Sequence, residues 1–405
     1  MEKVDWPEPT ASPDWAYLPT LVVQLISEKV KSIIDYVRFR AVCSPWRSSS
    51  LPKPTHLPPQ LPWLMISYDS NPEDDGIRLF YDLWQFKLHK LLLPETIGKK
   101  CCASYRGWLV LVAPEGGKEV FLLNPLTRAR IQLPPFSTPV KIFGVEQEEC
   151  RSVDHYSYEP YVDDCMIKKL SFSTDLTDPN CLVIVFLQGM QEIFFCRVGD
   201  PCWTMVKMQE EFDATYHNER FYFCSFEGAM RVYDLNNPEK RLLFVLPELQ
   251  SVPKMFLEGK SGVYLIRFVV RNPETSTVAQ DERHDPEHDI KYTVKPFAYK
   301  IELYQLLEQP FGLKHITDTT NTMIFYRGIF DCLTVCSDDW DSLDGGRMYM
   351  VHTGAFSAGK NNGGECNTVF STKLDDGKLE LVVSDFGEEP LWPAAPAMLF
   401  QPSFS

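Results

Sequence analysis

The longest apolar stretches of this 405-residue chain fall short of the roughly 18–20 consecutive apolar residues that a membrane-spanning helix needs, so no membrane partner is expected. Its opening, MEKVDWPEPTASPDW, is acidic and lacks the basic-then-apolar order of a secretory leader. No Asn-x-Ser/Thr acceptor occurs, and none of the twelve cysteines forms a C-x-x-C pair; only Cys101-Cys102 and Cys332/Cys336 lie close together. These absences argue against a disulfide scaffold or a zinc ribbon and predict reduced thiols used as small core residues, in the cytoplasm and/or nucleus. Positive charge is also scarce. The net charge is −15, and residues 1–60, with seven Lys/Arg and six Asp/Glu, leave −16 for residues 61–405. A phosphate backbone would be repelled by such a body, so no nucleic-acid partner is expected.

Short β-forming runs are abundant. After residue 62 come PWLMISY, IRLFYDL, WLVLVA, EVFLLN, CLVIVFL, EIFFCRV, RFYFCSF, MRVYDL, GVYLIRFVV and VFSTKL, most of them bounded by Gly, Pro, Asn or Asp. Many short strands at near-regular spacing predict a closed or radial all-β fold. An internal repeat narrows this. Residues 107–134 and 220–247 align without a gap, placing Trp108 on Phe221, Leu122 on Leu235, Asn124-Pro125 on Asn237-Pro238, Arg128 on Arg241 and Leu133-Pro134 on Leu246-Pro247. Each copy reads as strand, tight turn, strand, Asn-Pro turn, strand, and 345–383 is a weaker third copy. Such meanders are the core of propeller blades of about 40–50 residues, which predicts six or seven blades. The polar stretches 271–293 and 353–365 are expected to be loops.

Motifs that could carry chemistry fail on detail. GAFSAGKN, from Gly354, ends in Asn361 where a phosphate-binding loop needs a hydroxyl, and NNGGE cannot begin the helix that must follow. His284 and His288 are four apart, but Pro286 breaks the helix that would aim them together. The acidic groups Glu146/Glu148/Glu149, Asp338/Asp339/Asp341/Asp344 and Glu388/Glu389 are out of register with a calcium loop. No nucleophile elbow occurs. Neither metal, cofactor nor catalytic residue is expected.

The head differs in texture. Val22, Ile26, Val30, Ile33 and Val37 recur at helical spacing, widened by Leu18, Leu21, Leu25 and Ile34. Ser32 with Asp35 resembles a capping box, so one helix should end near Val30 and a second start after Ser32. Ser44-Pro45 predicts a third short helix from Trp46. Five prolines in 48–62 predict an extended, semi-rigid spacer that separates two cores.

The head's order W-x-x-L-P, apolar pairs, then V-C-x-x-W-R resembles an F-box, carried by Trp15, Leu18-Pro19, Leu21-Val22, Leu25-Ile26, Val30, Val37, Arg40, Val42-Cys43 and Trp46-Arg47. The remainder resembles the plant F-box family whose C-terminal region is domain of unknown function 295, described as kelch-like. GWLVL…NPLTR…LP, RFYF…G…VYDL, GVYLIRFVV and LWPAAPAMLFQPSF carry that likeness over most of 60–405. The resemblance implies a tail (1–14), an F-box (15–50), a Pro-rich linker (51–62) and a kelch-like propeller (63–405). It implies the non-catalytic substrate-recognition subunit of a Skp–Cullin–F-box (SCF) ubiquitin ligase. Leu18, Pro19, Leu21, Val22, Leu25, Ile26, Val30, Ile33, Val37, Val42 and Trp46 would contact a Skp-type adaptor, and through it cullin and the RING subunit. The propeller would hold a target protein. A kelch-like propeller enzyme of oxidase type and an F-box scaffold working outside a ligase are the two other readings.

Overall fold

Every run named above that lies among the described residues contributes to a strand. The computed structural model describes residues 15–403 except 59, 67–74, 86, 114–118, 137–140, 143–166, 188–191, 208–210, 219, 226–228, 235–236, 246–253, 260–261, 271–298, 309–310, 329–330, 337–344, 355–365, 375–378 and 385–397. Among these residues the strands form six sheets. Blade 1 runs Met398–Phe400, Trp63–Met65, Ile77–Asp82, Lys87–Leu92 from its inner edge, and blade 2 runs Lys100–Tyr105, Trp108–Val112, Val120–Leu123, Arg130–Leu133. Blade 3 is Ile167–Phe172, Leu182–Leu187, Glu192–Arg197, Thr204–Lys207, with Lys141–Ile142 added in parallel outside. Blade 4 is Glu211–His217, Arg220–Ser225, Ala229–Asp234, Asn237–Val245; blade 5 is Lys254–Gly259, Gly262–Val270, Tyr299–Glu308, Phe311–Ile316. Blade 6 is Asp331–Cys336, Thr322–Gly328, Arg347–Gly354, Cys366–Lys373, Leu379–Ser384. The six inner strands touch in sequence and the sixth touches the first. This is a propeller, and among the described residues it has six blades, the smaller of the two expected counts.

The burial of each strand follows from its place. Trp108–Val112 is buried at every position, because both its faces meet a blade. Val110 and Val112 pack with Leu170, Phe172 and Val183 of blade 3, while Leu109 packs with Trp63, Phe80 and Phe400 of blade 1. Blade 4 repeats the alternation: Tyr222 and Cys224 face Phe256 and Leu265, and Phe221 and Phe223 face Ile184 and Phe186. The outermost Lys87–Leu92 carries mostly exposed or half-buried residues.

Two polar devices join inner strands. Fully buried Asp213 of blade 4 pairs with Lys169 of blade 3, and its carboxylate also accepts the Ala214 N–H at 2.8 Å and the blade 5 Phe256 N–H at 2.7 Å. Burial pushes this carboxyl's pKa up, and the ammonium and both amides oppose that push. The second device holds the closing segment. Gly107 (φ 85°) leaves room for it, since a side chain there would stand 2.6 Å from Ser403 Cβ. Asn124 donates to the Ser403 carbonyl at 2.9 Å, and Ser104 donates to the Leu399 carbonyl.

The copies 107–134 and 220–247 do supply the second to fourth strands of blades 2 and 4, but their ungapped register does not hold. Asn124 opens a turn, its Oδ1 accepting from Leu126 and Thr127 N–H at 3.0 Å, whereas Asn237 begins a strand opposite Asp234. Turn length is the reason: residues 113–119 separate the second and third strands in blade 2 but only 226–228 in blade 4, and 124–129 separate the next pair in blade 2 but only 235–236 in blade 4. The third copy forms a meander too, but one strand further out, because Asp331–Cys336 and Thr322–Gly328 precede it from the centre. The loop 271–293 lies outside the described residues, as does 355–365. One thiol expectation also changes: Cys102 is disulfide-bonded, while Cys43, Cys101, Cys181, Cys196, Cys202 and Cys224 are free.

In the head, a 3-10 turn (Trp15–Tyr17) precedes α1 (Thr20–Ser27), α2 (Ile33–Ala41) and α3 (Ser44–Ser49). Ser32 caps α2 as expected, its hydroxyl accepting the Asp35 N–H. Cys43, not Ser44, is the N-cap of α3, with Pro45 in its first turn. The spacer does not hold the head apart from the ring. Tyr36 Oη donates to the Leu51 carbonyl at 2.9 Å, Tyr36 meets His56 edge-on at 5.6 Å, and Ile33 shares a core with Trp63, Met65, Phe80 and Phe400. The segment bends at 52–53 and 55–57 instead of running straight, and the Leu51 carbonyl and the Leu57 side chain find partners on α2.

Phe400→Ala should destabilise the ring by about 3–5 kcal/mol, the cost of emptying a fully buried aromatic site, read by urea unfolding. Ile33→Asp should loosen blade 1 together with α2, seen as faster hydrogen exchange at 63–65 and 398–400. Unchanged exchange at those strands would contradict the shared core.

Candidate functional site

Eight residues of α1, TLVVQLIS, place Val23 and Ser27 inward, four apart and both buried. The same period puts Leu21 with Leu25, and Val22 with Ile26, on the opposite side. There they stay 66%, 53%, 37% and 38% exposed. A helix whose bulkier apolar residues face solvent is the reverse of an ordinary surface helix. Scattered exposed apolar residues need no explanation, whereas these four form one continuous exposed apolar stripe. Pro19, Val37 and Val42 of the head are exposed as well, as are Trp15 and the 84% exposed Tyr17.

Beneath this surface the head has its own small core. Tyr36 and Phe39 of α2 point inward with Ile33, and Phe39 packs against Trp46 with ring centroids 4.6 Å apart. Trp46 Nε1 donates to the Trp15 carbonyl at 2.9 Å, fixing the 3-10 turn to α3. Arg47 Nε donates to the Arg40 carbonyl at 3.3 Å, and Arg40 Nη1 to the Ser50 carbonyl at 2.7 Å. Two bases thereby satisfy orphan carbonyls where α2 and α3 end. The W-R pair of the motif is therefore chiefly a brace.

Asp35 and Arg38 form an exposed pair at 3.0 Å, which contributes little. In blade 1, burial lowers the pKa of His89; Asp82 beside it opposes that shift, and the positive charges of Lys87 and Arg38 add to it.

Of the eleven residues expected to contact an adaptor, Pro19, Leu21, Val22, Leu25, Ile26, Val37 and Val42 are exposed, while Leu18, Val30 and Trp46 are half-buried. Ile33 has to be removed from the set. It is 2% exposed and its side chain is already committed to the core of blade 1. Periodicity put it on the stripe, but the turn at 28–32 redirects α2 so that its first residue faces the ring. Trp15, named above only as part of the motif, and Tyr17, not singled out by the sequence pattern, are exposed beside the stripe. The seven-residue span from Trp15 to Leu21 was their signal, since an aromatic-rich turn ahead of an outward helix has nothing to bury it.

Among the described residues no three His, Cys, Asp or Glu side chains are placed to hold a metal. Asn361, His284, His288 and the acidic groups at 146–149, 338–344 and 388–389 lie outside the described residues.

A family model described as KIB1-4 beta-propeller matches residues 80–379. F-box protein SKIP23 of Arabidopsis thaliana is 24% identical over 394 residues, covering 91% of each chain. A second F-box protein of that plant is 25% identical over 240 residues, and the match spans 57% of each chain, little more than half of that relative's length. Among solved structures, TolB from Acinetobacter baumannii aligns over 84% of this chain and 65% of its own, at 10% identity and a TM-score of 0.35, too slight a likeness to bear on function.

Replacing Leu21 and Leu25 together by serine should change unfolding stability by no more than about 0.5 kcal/mol per site, because neither is needed inside. Phe39→Ala should cost about 3–5 kcal/mol. Urea titrations of the two variants would reveal whether the inward and outward faces are assigned correctly.

Proposed function

The chain belongs to the KIB1-4 beta-propeller family, and on that premise we propose that it is the substrate-recognition subunit of an SCF ubiquitin ligase. In this reading residues 15–50 are an F-box that docks on a Skp-type adaptor, residues 51–62 join it to the ring, and residues 63–405 present a target protein. Residues 1–14 are a tail. Cullin, the RING subunit and a ubiquitin-charged conjugating enzyme are reached through the adaptor. The kelch-like description, domain of unknown function 295, belongs to this proposal, as does action in the cytoplasm and/or nucleus.

The observation that carries the reading is the outward stripe Leu21, Val22, Leu25 and Ile26. Fully burying one such side chain is worth about 1.5–3 kcal/mol, and these four are already about half covered. Their remaining gain, roughly 3–6 kcal/mol, lies at or below the 4–15 kcal/mol that association costs. Docking therefore has to enlist Pro19, Val37, Val42 and the aromatics Trp15 and Tyr17. A partner groove must embrace the head from more than one side.

The chain itself performs no chemistry in this account. Its contribution is proximity: a target lysine held near the conjugating enzyme's thioester reacts as an intramolecular partner would. The acidic balance of residues 61–405 favours a target with a basic surface.

Co-expression with a Skp-type adaptor should yield a stable complex, and Leu21→Asp with Leu25→Asp should weaken it by at least about 100-fold, since two carboxylates would have to be desolvated. The ring's thermal transition should stay in place. Wild-type co-purification of that double variant would sink the F-box reading. Recovery of adaptor without cullin from plant extract would favour the scaffold alternative.

A further inference from the structure

Gln60 sits in the Pro-rich segment yet is only 6% exposed. Its side-chain Oε1 accepts the Ile33 N–H at 2.8 Å, and its Nε2 donates to the Lys31 carbonyl at 3.0 Å and the Pro58 carbonyl at 2.7 Å. Its own carbonyl accepts Nε2 of Gln401 at 3.0 Å. Four hydrogen bonds thus join the start of α2, the spacer and the segment that closes the ring. The Ile33 N–H is one of the donors that a helix's first turn cannot satisfy within itself, and here a residue 27 positions away supplies the acceptor.

We propose that Gln60 is a positioning residue that fixes the direction of the adaptor-docking head relative to the propeller, so that head and ring move as one arm. This rests on the F-box reading and adds to it. A proline segment with one attachment at each end would be a tether whose free end explores many directions. The Gln60 amide removes that freedom at the point where the head meets blade 1, and Ile33, inserted among Trp63, Met65 and Phe400, supplies the second fixed point. Two contacts of different kinds, one directional and one packed, define an orientation that neither defines alone.

Glutamine is the residue whose chemistry this place requires. Two carbonyls and one N–H converge on a single side-chain terminus, which calls for two donor hydrogens and one acceptor. Glutamate keeps the shape but turns a second acceptor toward two carbonyl oxygens. Asparagine has the right groups and is one methylene too short.

The test compares wild type with Gln60→Glu and Gln60→Ala, each as the full chain in complex with adaptor, cullin and RING subunit. Ubiquitin-charged conjugating enzyme is added, and the readout is which of the receptor's own lysines are modified. In each event a lysine amine attacks the thioester carbonyl, forming an isopeptide bond and releasing the enzyme's cysteine thiol. Wild type should modify a narrow, reproducible set. Both variants should spread modification over additional lysines while adaptor affinity stays within about twofold, since Gln60 lies off the docking stripe. In the chain alone, the Ile33 amide should exchange about tenfold faster in Gln60→Ala. An unchanged lysine pattern with intact adaptor binding would overturn the proposal and leave the F-box reading standing. Failure of wild type to bind adaptor would overturn the F-box reading, and Ile33 exchange unchanged in Gln60→Ala would then overturn the clasp as well.

Discussion

No blade of this ring can bury itself. Trp108–Val112 hides alternate side chains against blade 3 and blade 1, and Arg220–Ser225 does the same against blades 5 and 3. A sheet with two apolar faces is stable only between two neighbours, so the first and last blades must also find each other. The rest of the architecture answers that demand. Met398–Phe400 pairs with Trp63–Met65, making the innermost strand of blade 1 from the other end of the chain. Ser104 of blade 2 donates to the Leu399 carbonyl of that strand, and Gly107 and Asn124 accommodate Ser403 beyond it. The buried Lys169–Asp213 pair stitches blades 3, 4 and 5 at their inner edge, where a lone carboxylate would be costly.

The head is governed by the same constraint. Because Ile33 and Gln60 meet blade 1 at its closing strand, the head has one face committed to the ring and another left in solvent. Ile33, with half-buried Ile34 beside it, serves the first; Leu21, Val22, Leu25 and Ile26 serve the second. A single amphipathic stripe would have allowed only one of these. Two helices joined by a tight turn at 28–32 allow both.

Much of this was legible in the residues. Short β-branched runs gave strands, Ser32 with Asp35 gave the start of α2, and the W-x-x-L-P to W-R order pointed to the head. Blade count was not legible, because it depends on pairing between residues more than three hundred positions apart, for which no local pattern exists. The orientation of Ile33 was hidden for a related reason. Helical period defines a face but does not say whether a partner or the chain's own ring covers it. Gln60 was invisible, since one amide among prolines looks like any solvated linker residue. Asn237 misled through identity: it matched Asn124 in sequence, yet turn length assigned it to a strand.

Synthesis order gives the seam a further meaning. Trp63–Met65 leaves the ribosome long before Met398–Phe400 exists, so throughout translation blade 1 has an unpaired inner edge and Ile33 lacks part of its cover. Contacts this distant along the chain also form slowly once both ends are present. The nascent protein is therefore most vulnerable to edge pairing with other chains while it is still being made. A chain ending before Met398 would hold that vulnerable state permanently, with no means of closing the ring.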